Sequence, residues 1–162
     1  MSRLAFLSPD ESDVDVPRVS PLREAASPAF TDASALGKLE VRGDVTRLEC
    51  EAGEELVPIT SQRALLVVDG PTRAARERLS ALGYRVYDLT AALAALDVEG
   101  AALLRRLTEL DLETLPASGS IARGTPALIE HRGGERYRLF VPQELAGFVA
   151  DVVTDLHAGL GA

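Results

Sequence analysis

The chain has 162 residues, a net charge of −8, 46% hydrophobic residues and a single cysteine. That length supports one ordinary domain or two small halves sharing a core, and no apolar run approaches the roughly 20 residues that cross a bilayer, so the expectation is a soluble protein without membrane contact. The acidic balance argues against sequence-independent nucleic-acid binding, which needs basic residues to displace counterions from phosphates, and one cysteine excludes an internal disulfide or a cysteine-based metal cluster.

Residues 1–28 carry Pro9, Pro17, Pro21 and Pro28 and the acidic run Asp10-Glu-Ser-Asp-Val-Asp15, the composition of an extended or partly disordered lead-in. The first residues lack the apolar stretch and small-residue cleavage site of a secretory signal, which predicts a cytoplasmic protein. Within the lead-in, Ser20-Pro-Leu-Arg-Glu-Ala-Ala26 has the cap and first-turn proline of a short helix. A single α+β domain is expected over residues 29–162, and it divides naturally into halves at 29–83 and 84–162.

Lys38-Leu-Glu-Val-Arg42 alternates, and Thr46 to Glu51 alternates again after the Gly43-Asp44 turn signal, so the pattern predicts a hairpin. Ala64-Leu-Leu-Val-Val68 is apolar on both faces and reads as a central, covered strand. A helix is expected over 71–82, opened by Pro71 and closed by Gly83. Two strands follow, Tyr84 to Leu89 and Leu93 to Val98. Gly100 then gives way to Ala101, Leu103, Leu104, Leu107 and Leu110, the spacing of an amphipathic helix over 100–110. Pro116 to Ser120 reads as a loop, and Ala127 to Glu130 and Arg136 to Val141 as strands joined by the turn His131-Arg-Gly-Gly-Glu135. The last helix, over 143–158, carries Leu145, Phe148, Val149, Val152, Val153 and Leu156 on one face.

One echo runs through this order. Asp32-Ala-Ser-Ala-Leu-Gly-Lys-Leu-Glu-Val-Arg-Gly43 and Asp88-Leu-Thr-Ala-Ala-Leu-Ala-Ala-Leu-Asp-Val-Glu-Gly100 share an Asp-x-Ser/Thr-Ala start and a Leu-x-Val ending. A duplicated β-rich unit and chance recurrence of short strand–glycine patterns both account for it.

No constellation of catalytic residues stands out. A glycine-rich dinucleotide turn, a phosphate loop and a nucleophile elbow are all lacking. Cys50 reads as a small buried filler rather than a reactive thiol. His131 and His157 read as surface residues without a second metal ligand in range. Glu109, Asp111 and Glu113 read as a solvated linker before a cation site, and Asp32 and Asp88 as caps at strand entries before catalytic acids. Catalytic and metal residues are therefore assigned to none, and cofactor-binding residues are left unassigned.

Asp32 to Gly43 and Asp88 to Leu112 resemble the folate-binding fold of the glycine cleavage T-protein. More closely, Ser20-Pro-Leu22, Tyr87-Asp-Leu-Thr90, Leu96-Asp-Val-Glu-Gly100, Leu110-Asp-Leu112 and Tyr137-Arg-Leu-Phe-Val-Pro-Gln143 resemble the small gamma subunit of heterotetrameric sarcosine oxidase, over residues 20–158. The strand and helix pattern predicts an α+β fold with mixed or antiparallel sheets, with two small βαβ-like halves that account for the echo, and the resemblance implies a relation to the T-protein fold. It implies an accessory, non-catalytic subunit working beside larger flavoprotein subunits, in a complex that oxidatively demethylates sarcosine and passes the one-carbon unit to tetrahydrofolate. FAD, FMN, NAD and tetrahydrofolate then belong to the partner subunits and none to this chain. The alternative is a stand-alone folate-binding, aminomethyltransferase-like protein of one-carbon metabolism, in which Asp88 or Glu99 supplies the carboxylate facing the pterin ring. Whether the chain is an enzyme in its own right stays open.

Overall fold

Every residue from Ala64 to Val68 is buried, which a strand achieves only when both of its faces are covered. Its side chains divide by alternation between two separate cores. Leu65 and Val67 meet Ala95, Leu128 and Phe140 of another sheet, while Ala64, Leu66 and Val68 meet Ala75 and Leu79 of a helix.

The computed structural model describes residues 19–25 and 27–161. It contains β1 (Phe30–Asp32), β2 (Gly37–Arg42), β3 (Glu54–Thr60), β4 (Arg63–Val68), α1 (Arg73–Ala81), β5 (Arg85–Asp88), β6 (Leu93–Glu99), α2 (Ala101–Leu107), β7 (Ala117–Ile121), β8 (Thr125–His131), β9 (Arg136–Pro142) and α3 (Ala146–Ala158). The strands form two sheets, β3-β4-β2-β5 and β1-β6-β9-β8-β7, and every ladder among the described residues is antiparallel. The sheets pack face to face through Val57, Leu65, Val67, Ala95, Leu128 and Phe140. Helix α1 covers the outer face of the first sheet, and α2 and α3 cover that of the second. The α+β class expected from the sequence is the class observed.

The chain order and the sheet order disagree at two places, and the disagreement ties the sheets together. β1 precedes β2 but pairs with β6, and β5 precedes β6 but pairs with β2. The connections cross between the sheets at the two copies of the sequence echo. There Ala33 N–H donates to Ala95 O (2.9 Å) and Leu89 N–H to Lys38 O (2.8 Å). Ser34 Oγ accepts from Ala95 N–H (3.1 Å) and Thr90 Oγ1 from Lys38 N–H (2.9 Å). Asp32 Oδ1 accepts from Ser34 N–H and Asp88 Oδ1 from Thr90 N–H, each at 2.9 Å. The hydroxyls of Ser20 and Thr72 complete the matching arrangement by donating to the second oxygens of Asp32 and Asp88. The same residue types therefore make the same bonds twice, each copy to the strand that follows the other.

Several local expectations change. The hairpin expected at Gly43 is replaced: Asp44 accepts from Thr46 N–H and turns Val45–Arg47 into a short 3-10 helix, and β2 pairs instead with β4 and β5, later in the chain, while the strand after the turn, β3, pairs with β4. Its Pro58 is tolerated because β3 lies at a sheet edge, where the register slips between Pro58 and Thr60. The expected loop Pro116 to Ser120 holds edge strand β7; its small residues make room for Leu110, which lies where a side chain on Gly119 would clash at 2.8 Å. Ser20 to Glu24 forms a turn rather than a helix, with Leu22 buried in the core between the second sheet and its helices. Phe148 is 40% exposed, because α3 buries Ala146, Val149, Ala150 and Val153 instead. The rest of the expected lead-in, residues 1–18, lies outside the described residues.

Ser34→Ala and Thr90→Ala each leave a buried N–H without its acceptor. Each is expected to destabilise the chain by about 1–3 kcal/mol, seen as a lower urea midpoint, with Thr90→Ser recovering most of the loss. An unchanged midpoint in both alanine variants would contradict the bracing role of these hydroxyls.

Candidate functional site

The residues singled out in the sequence do not converge on one place. Asp32 and Asp88 are occupied as caps of the crossing segments. Burial works against ionisation of Asp32, but hydrogen bonds from Ser20 and Ser34 and the nearby Lys38 charge outweigh it and hold its pKa below the ordinary value. Cys50 is exposed in an irregular stretch rather than buried in a strand, since the expected strand does not form. Burial of its thiol and the neighbouring Glu54 raise its pKa, which is the opposite of an activated thiolate. His131 locks the β8–β9 turn: its Nε2 lies 2.8 Å from Gly134 O and its ring stacks on Tyr137. His157 is exposed on α3. Asp111 caps a single turn by accepting from Glu113 N–H, with Glu109 and Glu113 exposed beside it.

The site the structure does assemble is a row of charges across the second sheet. Register places Asp97 of β6, Arg138 of β9 and Glu130 of β8 side by side, on the face turned toward the first sheet, one step from Ala95, Phe140 and Leu128. Arg138 clasps Asp97 with two hydrogen bonds, Nε to Oδ1 at 2.6 Å and Nη2 to Oδ2 at 2.8 Å. Arg132, from the turn after β8, pairs with Glu55 of β3 and lies 3.7 Å from Glu130, so the cluster spans both sheets. Alternating sequence offered no warning of it: the partners are up to 83 positions apart, from Glu55 to Arg138, and only the register brings them together.

Glu130 is the unusual member. It is 6% exposed, and its Oε2 has no hydrogen-bond partner. Burial pushes its pKa up to about 7 against the attraction of Arg138, with the Asp97 charge adding to the rise. Arg138 stays firmly charged, because its bonds to Asp97 outweigh its burial. The cluster can hold a proton near neutrality, but its charges are turned mainly on one another.

Two concavities flank it. One, of about 450 Å³, is lined by Glu54, Glu55, Asp69, Arg132 and Arg138. The other, of about 300 Å³, has Phe30 and Val98 as apolar floor and Asp97, Glu99, Arg132 and Arg136 on its rim. Glu99, one of the two carboxylates considered for a pterin ring, therefore borders the second of these clefts, whereas Asp88 lines neither. No group of three or more histidine, cysteine or carboxylate side chains suited to a metal occurs among the described residues, and no described helix is long and apolar enough to cross a membrane.

Because a carboxyl group with a raised folded pKa favours the folded state below its unfolded value, the Glu130 contribution is complete below about pH 4.5 and is lost as pH rises through about 7. Glu130→Gln is expected to match the parent at pH 4.5 and to exceed it by roughly 2–3 kcal/mol at pH 8. Parallel urea-unfolding curves across that range, with no convergence at low pH, would contradict the buried-acid reading.

No family model matches the chain, and no curated protein matches it. Among solved structures, the chain is similar to one from the heterotetrameric sarcosine oxidase of Corynebacterium sp. U-96 in complex with pyrrole 2-carboxylate. The TM-score is 0.68 at 15% identity, and the match covers 90% of this chain and 97% of that one. At that identity the likeness establishes a shared fold: this chain has the architecture of a chain of that oxidase, nearly end to end.

Proposed function

We propose that this chain is the small, non-catalytic subunit of a sarcosine oxidase-like heterotetrameric flavoenzyme. The observation that carries the reading is the fold match over 97% of a chain from such an oxidase, which agrees with the resemblance already present in Tyr87-Asp-Leu-Thr90, Leu96-Asp-Val-Glu-Gly100 and Tyr137 to Gln143. The charged groups support it too. Asp32, Asp88, Asp97 and Arg138 are each engaged in holding the fold, as expected of a scaffold. In this reading the flavins, the nicotinamide and tetrahydrofolate are held by the larger subunits, in the cytoplasm, and the chain contributes a docking body to the assembly.

A second reading rests on the 300 Å³ cleft. Its apolar floor at Phe30 and Val98 and the carboxylate of Glu99 are the elements a pterin ring needs, and Arg136 on the rim suits the carboxylates of a folate tail. Under that reading the chain binds tetrahydrofolate by itself.

Affinity purification of the full chain from its native cells separates the two. The accessory reading predicts a yellow complex with large flavoprotein subunits. A colourless lone chain would contradict it, and tetrahydrofolate binding by that chain, weakened by Glu99→Gln, would establish the second reading.

A further inference from the structure

In an acidic chain, arginines are normally claimed by carboxylates. Arg42 and Arg63 pair with Glu40, Arg78 with Glu51 and Glu54, and Arg138 with Asp97. Arg105, Arg106 and Arg123 behave differently. Among the described residues none of the three has a carboxylate in ion-pair range, yet all three line one concavity of about 560 Å³ between the end of α2 and the β7–β8 turn. Glu109 also lines it and leaves the site cationic. Arg105 and Arg106 lie in the last turn of α2, where a cation complements the helix dipole. That role accounts for positive charge on the helix but not for Arg123, which comes from the other wall.

Arg123 is held there at a cost. Ala122 (φ 39°), Arg123 (φ 63°) and Gly124 (φ 95°) are consecutive residues with left-handed backbone, a conformation that disfavours residues bearing a Cβ. The turn is fixed by the pairing of Ile121 with Thr125 and by Thr125 Oγ1–H donating to Ala122 O. Glycine would fit position 123 with less strain, and an arginine there adds a cationic side chain from the second wall to a lining that already includes Arg105 and Arg106, the Arg106 guanidinium lying near Gly159 at the end of α3.

We propose that this concavity binds a compact polyanion, either a phosphate ester or a small polycarboxylate, through the guanidinium groups of Arg105 and Arg123, with Arg106 adding positive charge on the α2 wall. Planar guanidinium forks match the paired oxygens of both groups, and the volume lies within the range of small-ligand sites. The proposal is independent of the assembly the chain joins.

The test is titration of the full-length chain with pyrophosphate and, separately, with citrate, followed by calorimetry and by the arginine Nε–Hε resonances at low and at physiological salt. Saturable binding is expected, weakened about tenfold by Arg105→Gln and by Arg123→Gly, the equivalent of one charge-assisted contact, and unchanged by the control Arg85→Gln. Arg123→Gly is also expected to melt higher than the parent, which separates lost binding from lost folding. Tighter binding of pyrophosphate assigns a phosphate ester; tighter binding of citrate assigns a carboxylate ligand. No saturable binding of either probe, or equal binding by the parent and both site variants, overturns the proposal. So does binding that disappears at physiological salt, which marks an adventitious ion only.

Discussion

The structure depends on two chain segments that cross between its sheets. Because β1 and β5 each pair with the strand after the other crossing, neither sheet can be completed without residues from both halves of the chain. The crossing would leave backbone groups unpaired in the inter-sheet layer, and a buried N–H without a partner costs as much as a lost hydrogen bond. Ser34 and Thr90 fill that need with short side chains whose oxygens replace the missing ladder partner. Asp32 and Asp88 then hold those hydroxyl residues in place through their backbone N–H groups. Where one copy has Ala95, the other has Lys38, fully buried, with its Nζ donating to Ser34 O and Leu36 O at 2.8 Å each. The two copies are thus alike in backbone bonding and different in what they bury.

The charge cluster follows from the same arrangement. Face-to-face packing closes the middle of the inter-sheet layer with apolar side chains, and toward one end the row changes to Asp97, Arg138 and Glu130. Arg138 offsets its desolvation by clasping Asp97, and Glu55 and Arg132 extend the pairing to the first sheet. Glu130 is left as the one acid of the row held short of a full partner, which is why its affinity for a proton rises. An ionic arrangement of this kind adds little net stability, because desolvation of the charges offsets much of their attraction.

Much of the fold was legible because local pattern and tertiary environment agree. The run Ala64 to Val68 announced a strand covered on both faces, and the glycine pair Gly133-Gly134 announced the β8–β9 turn. The echo between Asp32 and Asp88 marked the crossing, although nothing in one sequence could show that the copies bond to each other. Strands β3 and β7 were hidden because their residues answer to edge positions: Pro58 needs a side without a ladder partner, and Gly119 needs to admit Leu110. Cys50 was misread for a related reason, since alternation from Thr46 to Glu51 is overridden by the Asp44 cap. The charge row and the arginine concavity were out of reach, because each is made by register and turn geometry rather than by spacing along the chain.

Two interlocked sheets whose central charges are turned on one another agree with the non-catalytic subunit proposed above. If the chain is the small subunit proposed above, the most direct test is to coexpress, with and without it, the large flavoprotein subunits that this proposal requires, and to follow size-exclusion chromatography and sarcosine-dependent oxygen uptake. The account predicts a stable, active heterotetramer only when the chain is present. Full assembly and full turnover in its absence would contradict it.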